Sequence, residues 1–157
     1  MATEHDLATL LAETGKLLDP VIITEYAEQG AFQLIHDEGL ETYLEHDADR
    51  GVIVVSGDIG TPPPQAAAEV HVLLLRMSAL GRETGGLRFG LDAEGGAGVL
   101  MWDLPLGVLN PQSLAAALSG FVERMRMWRQ IVAAGGLAQG GGDDPAPPND
   151  GSVTFRL

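Results

Sequence analysis

The apolar and polar positions of this chain alternate in two different rhythms, and one stretch fits neither cleanly. From Gln65 to Leu80 the sequence reads QAAAEVHVLLLRMSAL, after three prolines and before Gly81. Ala, Leu, Val and Met in this density predict a helix, entered at the prolines and stopped at the glycine. On a helical wheel Ala67, Val70, Leu74 and Met77 form one stripe, extended by Ala66, Leu73 and Leu80. Val72, Leu75 and Ala79 lie on the other side, and only Glu69, His71, Arg76 and Ser78 interrupt. A helix apolar nearly all round needs cover on both sides. One side is expected on the chain's own sheet and the other on a second copy of the chain.

The remaining elements follow from the same reading. Leu7, Leu10, Leu11, Leu17 and Leu18 recur at helical spacing and predict a first helix from Thr3 to Leu18, capped by Thr3 and ended by Asp19-Pro20. Val21 to Glu28 is expected as an extended connection. Ala31–His36, Leu40–His46 and Gly51–Ser56 are expected as three strands of an antiparallel meander, because short turn-forming segments separate them. In the second, Leu40, Thr42 and Leu44 alternate with Glu41, Tyr43 and Glu45, which predicts one buried and one wet face. A hairpin follows the central helix: Leu87–Leu91, the turn Asp92–Gly98, then Val99 to about Leu104. Asn110-Pro111 starts the last helix, whose predicted buried stripe is Leu114, Ala117, Leu118, Phe121, Met125, Trp128 and Val132. Residues 1–134 are read as one domain. From Gly135 the composition turns to Gly, Pro and Asp, and residues 135–157 are expected as a disordered tail.

Charge narrows the partners. With 22 acidic and 9 basic side chains the formal charge is −13, which argues against nucleic acid and against anionic membrane surfaces. There is no cysteine, so disulfides and thiolate chemistry are excluded. The opening MATEHDLATL does not read as a signal peptide, and the central apolar run is too short and interrupted to span a bilayer. A bacterial cytoplasmic location is expected.

Chemistry finds little footing. His5, His36, His46 and His71 lie outside ligand spacing of one another, Asp47-Ala48-Asp49-Arg50-Gly51 lacks the rest of a calcium loop, and no serine sits in a G-x-S-x-G setting. The expectation is no enzyme, no metal and no cofactor. A rival reading is a small ligand-binding or catalytic domain with Tyr26, His36, Tyr43 and Trp102 lining one pocket.

Four segments carry a likeness as a set: LATLLAETGKLL, FQLIHDEGLETYLEHDADRGVIVVSGDIG, AAEVHVLLLRMSAL and LRFGLDAEGGAGVLMWDLPLGVLNPQSLAAALSGFVERMRMWRQIV. In this order the chain resembles the class I type III secretion chaperones, the Tir-chaperone-like proteins. The resemblance implies an α+β fold in the order α-β-β-β-α-β-β-α, antiparallel strands packed with helices, and a homodimer through the central helix. It implies an interface at Val70, Val72, Leu73, Leu75, Met77, Leu80, Phe89 and Trp102. It implies a client, the N-terminal segment of an effector bound in extended form by β-augmentation, and an export ATPase that receives it. The client surface is expected at Leu10, Leu17, Phe32, Leu34, Leu44 and Val54, with Glu41, Glu45 and Asp47 as an acidic rim. A regulatory relative sequestering a transcription activator would use the same binding physics.

Overall fold

The structure is a computed structural model and describes residues 4–19, 21–92, 94 and 96–137. Helix α1 (Glu4–Gly15) is followed by strands β1 (Ile22–Tyr26), β2 (Ala31–Ile35), β3 (Glu41–Asp47) and β4 (Val52–Gly60). Helix α2 (Ala67–Ala79), strands β5 (Leu87–Leu91) and β6 (Gly98–Pro105), and helix α3 (Pro111–Ala133) complete it. The six strands form one antiparallel sheet in the order β1-β2-β3-β4-β6-β5. The α+β class and the antiparallel sheet are as expected.

The order of elements gains one strand. Residues 22–26 are not a connection: Ile22 to Tyr26 pair with Ile35 to Ala31 in register. The β-branched Ile22, Ile23 and Thr24 favour this backbone. The burial alternation that marks a strand is missing because β1 sits at the margin of the sheet, where most of its residues are exposed. The first helix ends at Gly15 rather than at Leu18. The Thr14 hydroxyl donates back to the Leu10 carbonyl at 2.7 Å, inside the last turn.

All three helices lie on one face of the sheet. The inward positions are Phe32 and Leu34 on β2, Thr42 and Leu44 on β3, Ile53, Val55 and Gly57 on β4, Leu100 and Leu104 on β6, and Leu87 and Phe89 on β5. Against them pack Leu7 and Leu11 of α1, Val70 and Leu74 of α2, and Leu114, Leu118, Phe121, Met125, Trp128 and Val132 of α3. The predicted stripe of α3 is the buried one, except that Ala117 is only partly covered. Asn110 and Ser113 cap that helix reciprocally, each side chain accepting the other's backbone N–H at 2.9 Å.

The far end of α3 closes at a glycine pair. The Gly136 N–H donates to the Ile131 carbonyl at 2.9 Å and the Gly135 N–H to the Val132 carbonyl at 3.0 Å. With Gly135 at φ 83°, this is a Schellman cap. Gly135 and Gly136 therefore belong to the helix terminus rather than to the tail. The predicted cap at Thr3 and residues 138–157 of the predicted tail lie outside the described residues.

Candidate partner-binding surfaces

The face of the sheet opposite the helices is open. Strand alternation puts Ile22, Thr24 and Tyr26 of β1 on it, with Gln33 and Ile35 of β2 and Glu41, Tyr43, Glu45 and Asp47 of β3. Val52, Val54, Ser56 and Asp58 of β4, Val99, Met101 and Asp103 of β6, and Arg88 of β5 continue it. Two polar networks run across it.

At the β1–β3 end, the Tyr26 hydroxyl donates to Gln33 Oε1 at 2.8 Å. The Gln33 amide donates to Glu41 Oε2 at 2.9 Å and to the Tyr43 oxygen at 3.2 Å. Tyr43 in turn donates to Glu41 Oε2 at 2.8 Å, and this bond to a carboxylate pushes the phenol above its ordinary pKa. At the other end, Arg50 bridges Asp47 at 2.6 Å and Asp103 at 2.8 Å, and Arg88 also pairs with Asp103. Burial raises the Asp103 pKa, but the hydrogen bonds and charges of Arg50 and Arg88 outweigh it and hold the carboxyl below the ordinary range.

The two margins of the sheet differ. On β5 the Phe89 N–H turns away from β6 and donates to the Ser78 hydroxyl at 3.2 Å. The Thr84 hydroxyl lies 3.1 Å from the Leu87 carbonyl on the same side. Side chains of α2 and of the turn after it thus stand against two of the outward backbone groups of β5, the Phe89 N–H and the Leu87 carbonyl. Among the described residues, nothing pairs with the outer side of β1. An unpaired margin of this kind is a template for another strand.

Helix α2 is not enclosed by its own chain. Val70 and Leu74 are buried, and Leu73 and Met77 are half-buried on the same side. Ala68, Val72, Leu75 and Ala79, spaced as one helical stripe, face outward, with Leu75 at 67% exposure.

Several sequence expectations are corrected by this geometry. Phe32, Leu34 and Leu44 point under the helices and are 4%, 0% and 0% exposed, so they build the monomer's core rather than a client surface. Periodicity gives two faces for each strand but does not say which one the helices cover. Leu10 is half-buried against the core and Leu17 is exposed beyond the end of α1. Val54, Glu41 and Glu45 do share the open face. Of the residues expected between two copies, Val70 and Phe89 are buried within the subunit, and Leu73, Met77 and Trp102 are partly buried against its core. Val72, Leu75 and Leu80 are exposed.

The rival pocket does not assemble. Tyr26 and Tyr43 lie on the open face, whereas Trp102 and His36 lie toward the helices, where His36 Nε2 meets the buried Thr42 hydroxyl at 2.8 Å. No local pattern signals the contacts of Ser78 and Thr84 with β5, because both bonds join a side chain to backbone across a turn. The β-branched run at 22–24 was the available signal for the β1 margin.

The profile of the Tir chaperone protein (CesT) family matches residues 9–129. The chain belongs to this family. Its match runs from the middle of α1 to the last turns of α3, so it takes in the whole sheet, all of α2 and most of α3. No helix among the described residues is long and apolar enough to cross a membrane.

Solved structures share this fold. The chaperone–effector complex of HopA1 and SchA matches with a TM-score of 0.60 at 23% identity, over 79% of this chain and 93% of the other. The ExsC–ExsE complex matches at 0.61 and 20%, over 85% and 98%. The Yersinia pestis type III secretion chaperone SycH, in complex with a stable fragment of YscM2, matches at 0.55 and 18%, over 76% and 97%. A Chlamydia pneumoniae protein, CPj0713/CpB0740, is 36% identical over 72 residues, which are 45% of this chain and 55% of that protein. The chain spans about half the length of this curated relative.

Proposed function

We propose that this member of the Tir chaperone family is a type III secretion chaperone that holds a segment of an effector in extended form along the outer margin of β1. The observation that carries this is the contrast between the two margins: β5 is closed by Ser78 and Thr84, and β1 is open. A client strand added to β1 gains backbone hydrogen bonds that tolerate many sequences, while side-chain contacts choose among them. Val54, Glu41 and Glu45 on the open face are the proposed contacts beside it, with Leu17 and the accessible part of Leu10 reached around the margin. The presence of HopA1 with SchA, a chaperone of the same fold, supports an effector as the partner. The proposed client portion is its N-terminal segment, kept soluble until an export ATPase takes it, and no cofactor is needed for the role.

The second part of the proposal is a homodimer through the outward stripe of α2, centred on Val72 and Leu75 with Leu80 at its end. A row of exposed apolar residues on a helix whose inner face is already packed is the support for it.

Affinity capture from the native bacterium, followed by hydrogen exchange on the captured complex, tests the client site. The amides of Ile22 to Tyr26 should gain protection when the client is bound, and those of Leu87 to Leu91 should not change. Protection confined to β5, or capture of no secreted protein, would refute the proposed edge.

A further inference from the structure

A groove of about 410 Å³ lies on the helix side of the sheet, between the end of α2, the turn 81–86 and α3. Met77, Leu87 and Trp128 form its floor, and Met127, 48% exposed, forms one wall. Trp128 is held edge-to-face on Phe89 with ring centroids 4.6 Å apart. Arg82, Arg124 and Glu83 stand at the rim.

The rim is unusual for this molecule. Among the described residues, Lys16, Arg50, Arg88 and Arg126 have a carboxylate within 4.0 Å, whereas Arg76, Arg82, Arg124 and Arg129 have none. Two of these four arginines meet over an apolar floor, in a chain of charge −13. The Arg124 guanidinium is positioned in advance, and the backbone that carries Arg82 is fixed. Arg124 donates to the Gly120 carbonyl at 3.3 Å and its guanidinium stands 5.8 Å from the Trp102 ring. Arg82 rides on a turn tied by the Gly86 N–H to the Gly81 carbonyl at 2.7 Å and the Glu83 N–H to the Leu80 carbonyl at 2.8 Å.

We propose that this groove docks a segment of a protein partner in which an apolar side chain is flanked by carboxylates. The thioethers of Met77 and Met127 adapt to Phe, Leu or Met as the anchor. The two guanidinium groups offer forked donors to the flanking acids. The net negative charge of the chain disfavours such a segment over most of the surface, and the paired Arg82 and Arg124 favour it here. The site is independent of the β1 margin, since groove and open face lie on opposite sides of the sheet.

Methionine ε-methyl NMR on the full chain tests it, because Met77 and Met127 line the groove while Met101 faces the other side of the sheet. The probes are the peptide Gly-Asp-Asp-Phe-Leu-Gly, its Leu and Met anchor variants, and the matching Lys-Lys peptides. The acidic peptides should shift Met77 and Met127, leave Met101 in place, and bind about tenfold tighter than the lysine peptides. The double variant Arg82→Glu with Arg124→Glu, both at exposed positions, should reverse that preference. No shift at millimolar peptide, equal binding of both charge types, or shifts centred on Met101 would overturn the proposal. So would shifts of Met77 and Met127 on diluting the protein alone, which would put a second copy in the groove.

Discussion

The backbone N–H of Phe89 donates to the Ser78 hydroxyl at 3.2 Å, so a helix side chain occupies the place a seventh strand would take. Replacing Ser78 by Ala leaves that N–H without its partner. The substitution should cost about 1 kcal/mol of stability and speed hydrogen exchange at Phe89. Unchanged exchange there would mean that α2 does not close the β5 margin.

Gly57 and Met125 are a second coupled pair. Gly57 lies on β4 directly under α3, and a Cβ at that position would run into the Met125 thioether. Gly57→Ala should destabilise by roughly 1–3 kcal/mol through overpacking. Trimming the opposing side chain in the double variant Gly57→Ala, Met125→Val should recover part of the loss. Urea denaturation of the four-member cycle reads the coupling, and strict additivity would show that the sulfur moves aside freely.

On the proposed dimer, the wild-type chain should sediment as two copies and Leu75→Asp as one, with its circular dichroism intact. Leu75 is 67% exposed in the subunit, so the charge disturbs only the contact between copies, where it costs several kcal/mol. Leu74→Asp, one residue away but 2% exposed, should instead unfold the chain. A dimeric Leu75→Asp protein would remove this stripe from the interface.

The pH dependence of stability should carry a contribution from His36. Burial, and then the Arg126 guanidinium, hold its imidazole below the ordinary value, against a weaker opposing pull from Asp37. The unfolded chain therefore takes up a proton near pH 6.5 while the folded chain waits for lower pH. Between those two values the unfolded state binds more protons, so stability is full above about 6.5 and falls as pH drops through the folded pKa. Thermal melts from pH 7.5 to 5 should show this decline in the wild type and a flatter profile in His36→Gln. Asp103, held below the ordinary carboxylate range, adds its own loss only at more acidic pH.

How much of this was legible beforehand varies with the kind of information each feature needs. The stripe on α3 was readable because seven apolar residues at helical spacing point one way whatever they meet. Its cap was readable because Asn110-Pro111 acts locally. The antiparallel meander of β2, β3 and β4 was readable because turns too short for a crossover leave no other pairing. Even the outward apolar stripe of α2 was visible as a helix with no polar face.

What the sequence could not decide was direction. Phe32, Leu34 and Leu44 alternate properly, but alternation is symmetric, and only the packing of all three helices on one side of the sheet made theirs the inner face. The margin at β1 needed the same information, since Ile22 to Tyr26 become a strand by finding β2 and show no burial rhythm of their own. The closure of β5 depends on Ser78 and Phe89, eleven residues apart, meeting across a turn. Local periodicity fixes which residues travel together; the assembly of layers fixes which of them water, or a partner, can still reach.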